Sequence, residues 1–207
     1  MISAPIRIFL TRIIGAISIF TTSIVLSKSL TIEEYGRFEV LLKISLLISA
    51  FSIFGFTETI NLSRNNSEAS LKKNQAIKWV LLFNVCTLII YFIINLLFNK
   101  NISLENVIIG SSIFYSIYRI LGSYLQKQKK YILTVLSDDG LNNILFIVFV
   151  SVVYLFKGRI SLTSVALIFL FTRFSTFIFY TVILRKSIGF VRLDRNILIE
   201  SNDFFTN

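Results

Sequence analysis

The segment Leu162–Leu184 reads LTSVALIFLFTRFSTFIFYTVIL, and it carries a single charged residue, Arg173, near its centre. About 20 consecutive apolar residues are enough for a helix to cross a bilayer. A run of this length therefore predicts a membrane-spanning helix. An arginine at the centre of such a helix costs about 2.5–3.5 kcal/mol on insertion scales, so we expect it to face a bundle interior or a water-filled path.

The composition of the whole chain indicates the same class. Its 207 residues are 55% hydrophobic, with a mean hydropathy of +0.77, whereas soluble domains are roughly 45–50% apolar. One proline and eight glycines leave few helix breakers. The sequence has none of the short alternating segments that are typical of membrane barrels. We therefore expect an all-α, polytopic membrane protein.

The apolar runs predict about six transmembrane helices. They form a six-helix lobe over residues 1–186, followed by a cytoplasmic tail or inter-lobe linker over residues 187–207. The fifth run is the least regular, because Asp138 and Asp139 lie inside it. The predicted spans are Ile8–Ser27, Phe38–Ile60, Ile77–Phe98, Leu104–Leu125, Ile132–Phe156 and Leu162–Leu184.

Charge sets the expected orientation. Most lysines and arginines fall at the N-terminus, in segments 61–76 and 126–131, and in the C-terminal tail. The positive-inside rule then predicts that both termini are cytoplasmic. The net charge of +10 is distributed among these short segments. We therefore expect the bilayer, and not nucleic acid, to be the partner of the basic residues.

Two absences narrow the chemistry. The chain has no histidine and one cysteine, Cys86, which removes histidine acid–base chemistry and the commonest transition-metal ligand. The connections between the apolar runs are short. We expect no enzyme activity, no catalytic residues, no metal and no cofactor.

Polar residues three and four apart share a helix face. One such face holds Tyr115 and Arg119, and another holds Arg173 and Tyr180. Small and hydroxyl residues commonly join membrane helices. We therefore favour packing as the interpretation of the polar face that includes Asn84 in the third span. The arginine-bearing faces favour a hydrated cavity, because a guanidinium has five donors to satisfy.

Depth in the membrane ranks the other charged candidates. Arg12 lies about one turn from its helix end and can snorkel. Lys43 has Glu39 four residues before it, and the two charges can neutralise one another. Both are weaker candidates for substrate binding.

Three acids are candidates for ion coupling. Glu58 lies near the cytoplasmic end of the second span, and Asp138 and Asp139 lie about two turns into the fifth. Intramembrane carboxylates can carry protons or cations. They can also pair with the arginines, and Asp138–Asp139 can cap a shorter helix that starts at Ser137.

Two stretches resemble a known family. Leu30–Phe38 (LTIEEYGRF) resembles the segment between the first two helices of polysaccharide flippases. Ser52–Ile60 (SIFGFTETI) is similar to the glycine-containing end of their second helix. These flippases are the O-antigen and capsule-type translocases of the multidrug, oligosaccharidyl-lipid and polysaccharide exporter superfamily.

The resemblance implies transport of an undecaprenyl-pyrophosphate-linked oligosaccharide across the inner (plasma) membrane. Arg119 and Arg173 would meet the pyrophosphate, and Tyr115 and Tyr180 would contact sugar. The family has twelve to fourteen helices in two lobes, so this chain resembles the N-terminal lobe. Its expected partners are the lipid-linked oligosaccharide and a second six-helix lobe or second copy. A truncated or non-transporting scaffold, a glycan-assembly membrane enzyme and a drug exporter stay as alternatives.

Overall fold

A computed structural model describes residues 4–97, 103–135 and 140–187. Within these ranges 90% of the residues are helical and none lies in a β-strand, which confirms the all-α prediction. The helices are α1 (Ala4–Ser29), α2 (Ile32–Ile53), α3 (Phe56–Asn61), α4 (Asn66–Leu97), α5 (Ser103–Gly110), α6 (Ser112–Lys127), α7 (Tyr131–Val135), α8 (Leu141–Lys157) and α9 (Leu162–Ser187). Of the predicted tail, residues 188–207 lie outside the described residues.

The second predicted span differs from the structure at both ends. α2 begins at Ile32, ahead of the expected Phe38, because Thr31 and Glu34 form a capping box. Each side chain of this pair accepts a hydrogen bond from the other residue's backbone N–H. The helix then ends before the expected Ile60. Phe54 (φ 28°) and Gly55 (φ 74°) adopt positive φ and separate α2 from the short α3.

The third and fourth predicted spans also shift. α4 begins well ahead of the expected Ile77, because the Asn65 side chain caps it by accepting the Glu68 backbone N–H at 2.8 Å. α5 and α6 meet at Ser111, whose backbone N–H donates to Val107 O at 3.2 Å. The chain there is nearly continuous helix and covers the predicted fourth span.

Within the described part of the chain, three helices are long and apolar enough to cross a membrane: Phe9–Ser29, Asn66–Ile93 and Leu162–Arg185. α8 is apolar but shorter, at 17 residues. Large apolar side chains such as Phe20 on α1 and Leu82 on α4 are exposed on the outer surface. These features indicate a membrane protein.

Two apolar clusters form the core, and a polar layer separates them. The first cluster includes Leu41, Ile108 and Phe169, and the second includes Ile117 and Tyr180. Along each of α2–α3, α5–α6 and α9, the chain passes from the first cluster through buried polar residues to the second. These three segments therefore run in the same direction, and their polar residues form a layer about two turns deep in the bundle.

Candidate functional site

The polar layer consists of small side chains from four helices. We use this name for Ser45, Ser49 and Ser52 of α2, Asn84 of α4, Ser111 with Ser112 and Ser116 at the start of α6, and Thr172, Arg173 and Thr176 of α9. All of them are at most 2% exposed. Arg173 is the only charged member of the layer.

Hydrogen bonds join the helices across this layer. Ser52 and Ser116 share a bond between their hydroxyl oxygens at 2.7 Å. The Ser49 hydroxyl donates to Ser112 O at 3.3 Å. The Ser112 hydroxyl donates to Asn84 Oδ1 at 2.7 Å. Asn84 therefore packs α4 against α6, as the favoured interpretation of its face predicted.

Arg173 links three helices through one nitrogen. Its Nη1 donates to the Ser45 hydroxyl at 2.7 Å and to the Ser111 hydroxyl at 2.8 Å. The guanidinium carbon lies 4.1 Å from the Phe169 ring centroid and 4.8 Å from that of Tyr115. The side chain is 2% exposed. It thus lies in a packed interface, and the hydrated cavity expected around it is replaced by hydroxyls and aromatic rings.

The charge of Arg173 has no acidic counterpart among the residues that the structure describes. The ionisable groups that act on it are Tyr118 and Tyr115. Its Nε is buried and makes no hydrogen bond within the same ranges. Because burying a charge is costly unless it is paired and hydrogen-bonded, this guanidinium retains a strong capacity to attract an anion.

Tyr115 connects Arg173 to the second predicted arginine. Arg119 lies one turn after Tyr115 on α6, and its guanidinium carbon is 5.8 Å from the same ring centroid. Arg119 Nη1 also lies 3.5 Å from the Tyr115 hydroxyl. Tyr115 and Arg119 are both half-buried. Arg173, Tyr115 and Arg119 thus form one cationic site, which extends from the buried interior toward the surface.

Tyr180 joins the same group through Tyr118. The Tyr118 ring lies 5.1 Å from Tyr115 and 6.3 Å from Tyr180, measured between centroids. The Tyr180 hydroxyl donates to Leu133 O at 2.8 Å. Tyr180 is completely buried, so its ring and hydroxyl here fasten α7 to α9. The proposed contact with sugar stays a prediction for this residue.

The remaining candidates lie apart from this cluster. Arg12 is exposed on α1, and Lys43 is exposed on α2. Glu58 is exposed on α3 and accepts a hydrogen bond from the Thr57 hydroxyl at 2.7 Å, and the charge of Arg119 acts on it. Asp138 and Asp139 lie outside the described residues. Four of the six predicted substrate-binding residues, Arg173, Arg119, Tyr115 and Tyr180, are thus brought together.

Sequence reasoning missed the hydroxyl partners of Arg173. Ser45, Ser49 and Ser52 follow one another at spacings of four and three, the spacing of one helix face. That stripe was visible in the second apolar run. By contrast, Tyr115 and Arg119 identified the polar face of the fourth run. Ser111 lies four residues before Tyr115 on that face.

Comparisons of the chain with protein-family models, curated proteins and solved structures found no match.

Proposed function

We propose that the chain is a membrane transporter, or the N-terminal lobe of one, that flips undecaprenyl-pyrophosphate-linked oligosaccharide across the inner membrane during surface polysaccharide biosynthesis. The proposal includes six membrane spans with both termini in the cytoplasm. It is supported by the three long apolar helices, by the resemblance of segments 30–38 and 52–60 to polysaccharide flippases, and by the cationic site.

The observation that carries the proposal is the buried charge of Arg173. Nη1 is held by two serine hydroxyls, and Nε has no partner in the described ranges. Charge-assisted hydrogen bonds from guanidinium to phosphate are short and about twice as strong as neutral ones. A pyrophosphate supplies the negative charge that the serines lack and an acceptor oxygen for Nε. A cationic drug would be repelled by the same group.

Arg119 extends the binding surface. It shares the Tyr115 ring with Arg173, and a pyrophosphate has two phosphate groups to distribute between two guanidiniums. To the Tyr115 ring, half-buried between them, we assign the contact with the first sugar. A transport cycle also needs a second lobe or a second copy, because alternating access rocks two repeats about a shared site.

Alanine substitution tests the site. Arg173→Ala and Arg119→Ala are each expected to lower surface polysaccharide at least about tenfold, since one lost charge-assisted hydrogen bond is worth a tenfold or greater change in binding. Arg159→Ala is the matched control, because Arg159 is exposed between α8 and α9. Surface polymer is measured at equal membrane levels of each variant. Normal polymer in the Arg173→Ala/Arg119→Ala double variant contradicts the proposal.

A second candidate is a non-transporting scaffold of the glycan-assembly machinery. It is favoured by the bonds of Arg173 to Ser45 and Ser111, which are the contacts of a structural cross-link. Arg173→Met separates the two functions, because methionine keeps most of the side-chain volume without the charge. A scaffold retains normal surface polymer in this variant, whereas a transporter loses it.

A further inference from the structure

The polar layer is closed, yet most of its hydroxyls do not depend on the neighbouring helix. Ser49 donates to Ser45 O at 2.8 Å, Ser52 to Ser49 O at 2.9 Å, and Ser116 to Ser112 O at 2.9 Å. These acceptors belong to the same helix as the donor. If α2 moves away from α6, each of these hydroxyls keeps one hydrogen bond, so separation leaves no orphaned group.

Arg173 depends on other helices, as the Ser112 hydroxyl does on Asn84 of α4. Both hydrogen bonds of Arg173 reach other helices, to Ser45 on α2 and to Ser111 between α5 and α6. Separation breaks the bond to Ser45 at once and leaves a cation with too few acceptors. In the closed layer the two serine hydroxyls offset the cost of burying this charge, and an acceptor that arrives from outside can replace what the serines provide.

We propose that Arg173, Ser45 and Ser111 form a latch that holds the polar layer closed, and that a pyrophosphate group opens it by replacing the serine hydroxyls on the guanidinium. The latch itself follows from the contacts above, whereas the pyrophosphate as its trigger rests on the proposed function. The closed layer is then the resting state. The anionic group of the substrate opens the layer, and the substrate can then enter the site.

The latch predicts a different frequency of opening for each of two kinds of variant. Removing the serine hydroxyls leaves a buried charge without acceptors, so the layer opens more often. Removing the charge leaves nothing that favours opening, so Arg173→Met opens no more often than the unsubstituted chain. A general loosening of the packing would instead raise opening in both variants.

Thiol labelling measures the opening. The native Cys86, the one cysteine of the chain, is replaced by alanine, and Ser49→Cys places a reporter in the layer where Ser49 is fully buried. A small water-soluble methanethiosulfonate reagent then modifies position 49 only when the layer opens. Ser161→Cys, at an exposed position, confirms that the reagent is active.

Ser45→Ala/Ser111→Ala is expected to raise the labelling rate well over tenfold, because it removes two hydrogen bonds from a charged donor and each one corresponds to roughly tenfold. Each single substitution gives a smaller rise, and serves if the double variant does not fold. The matched control is Ser18→Ala/Thr22→Ala, which removes two buried hydroxyls that bond within α1 and leaves the rate unchanged. In the Arg173→Met background the Ser45/Ser111 pair has no further effect.

An unchanged rate in the serine variants overturns the latch, and so does an equal rise in the Arg173→Met background.

The trigger is tested on the reporter chain with otherwise native side chains. Inorganic pyrophosphate and undecaprenyl pyrophosphate are both added. A rise with both assigns the opening to the pyrophosphate group, a rise with the lipid alone assigns it to the lipid-linked form, and no rise with either overturns the trigger. Normal surface polymer in Arg173→Met, with the labelling results as expected, refutes transport and leaves the latch standing.

Discussion

Replacing Arg173 by methionine is expected to leave the folded chain nearly as stable, whereas replacing it by alanine is not. Two opposing contributions act on the arginine. Each hydrogen bond from its charged Nη1 to Ser45 and Ser111 stabilises the fold by about 1.5–3 kcal/mol. Placing an arginine near the centre of a membrane helix costs about 2.5–3.5 kcal/mol on insertion scales. The two bonds together contribute about 3–6 kcal/mol, so the gain largely offsets the cost.

Methionine removes both contributions and keeps the packing. Its flexible thioether can lie against Phe169 and Tyr115, where the guanidinium now lies 4.1 Å and 4.8 Å from the ring centroids, and sulfur–aromatic contacts are favourable. We expect a change in the free energy of unfolding below about 1.5 kcal/mol, as for volume-conserving core substitutions. Alanine leaves a cavity among the rings, and the expected loss is about 2–5 kcal/mol.

The assay is unfolding of the purified chain in one detergent, followed through the apparent melting temperature and the retention of a monodisperse size-exclusion peak. The three chains are heated at the same rate, because irreversible unfolding makes the midpoint rate-dependent. The expected order is native and Arg173→Met together, with Arg173→Ala lower. Equal destabilisation by methionine and alanine refutes the reasoning, since it means that the charge itself holds the bundle together.

Two further predictions concern contacts outside the cationic site. Tyr180→Phe is expected to lower the free energy of unfolding by about 0.5–1.5 kcal/mol, because the hydrogen bond to the half-buried Leu133 carbonyl is lost. Tyr131→Phe, at an exposed position, is the control in the same melting assay, and equal stability of the two contradicts the prediction. Gly158→Ala is expected to lower stability by about 1–2 kcal/mol, because Gly158 ends α8 with φ 67° and a Cβ disfavours that conformation. Gly36→Ala, within α2, is expected to stabilise the chain slightly, and a loss as large as that of Gly158→Ala refutes the argument from φ.

Helix content was predictable from hydrophobicity, but helix limits were not. The sixth apolar run, Leu162–Leu184, predicted the apolar helix α9 almost to its ends. α2 and α4 begin in polar sequence, where Thr31 with Glu34 and Asn65 cap the first turns. The end of an apolar run reflects how deep a residue lies in the membrane, whereas a cap depends on backbone hydrogen bonds at the helix end. The two boundaries therefore need not coincide.

The cationic site was predictable only in part. The charge of Arg173 is unusual enough in an apolar run to be noticed without any structure, and so is that of Arg119. Their common contact, Tyr115, is a neighbour of Arg119 on the helix and was found by spacing. Ser45 is 128 positions from Arg173 in sequence, and nothing local in either helix indicates which of many serines faces it.

The division of the core into two apolar clusters with a polar layer between them has a consequence for assembly. Contacts among leucine, isoleucine and phenylalanine are nearly as favourable against lipid tails as against another helix, so they do little to fix how far one helix slides along its neighbour. The bonds between Ser52 and Ser116 and between Asn84 and Ser112 form about one turn apart along α6. A slip of one turn, about 5.4 Å, breaks them all. The layer therefore sets the axial register of α2, α4 and α6 as the bundle assembles.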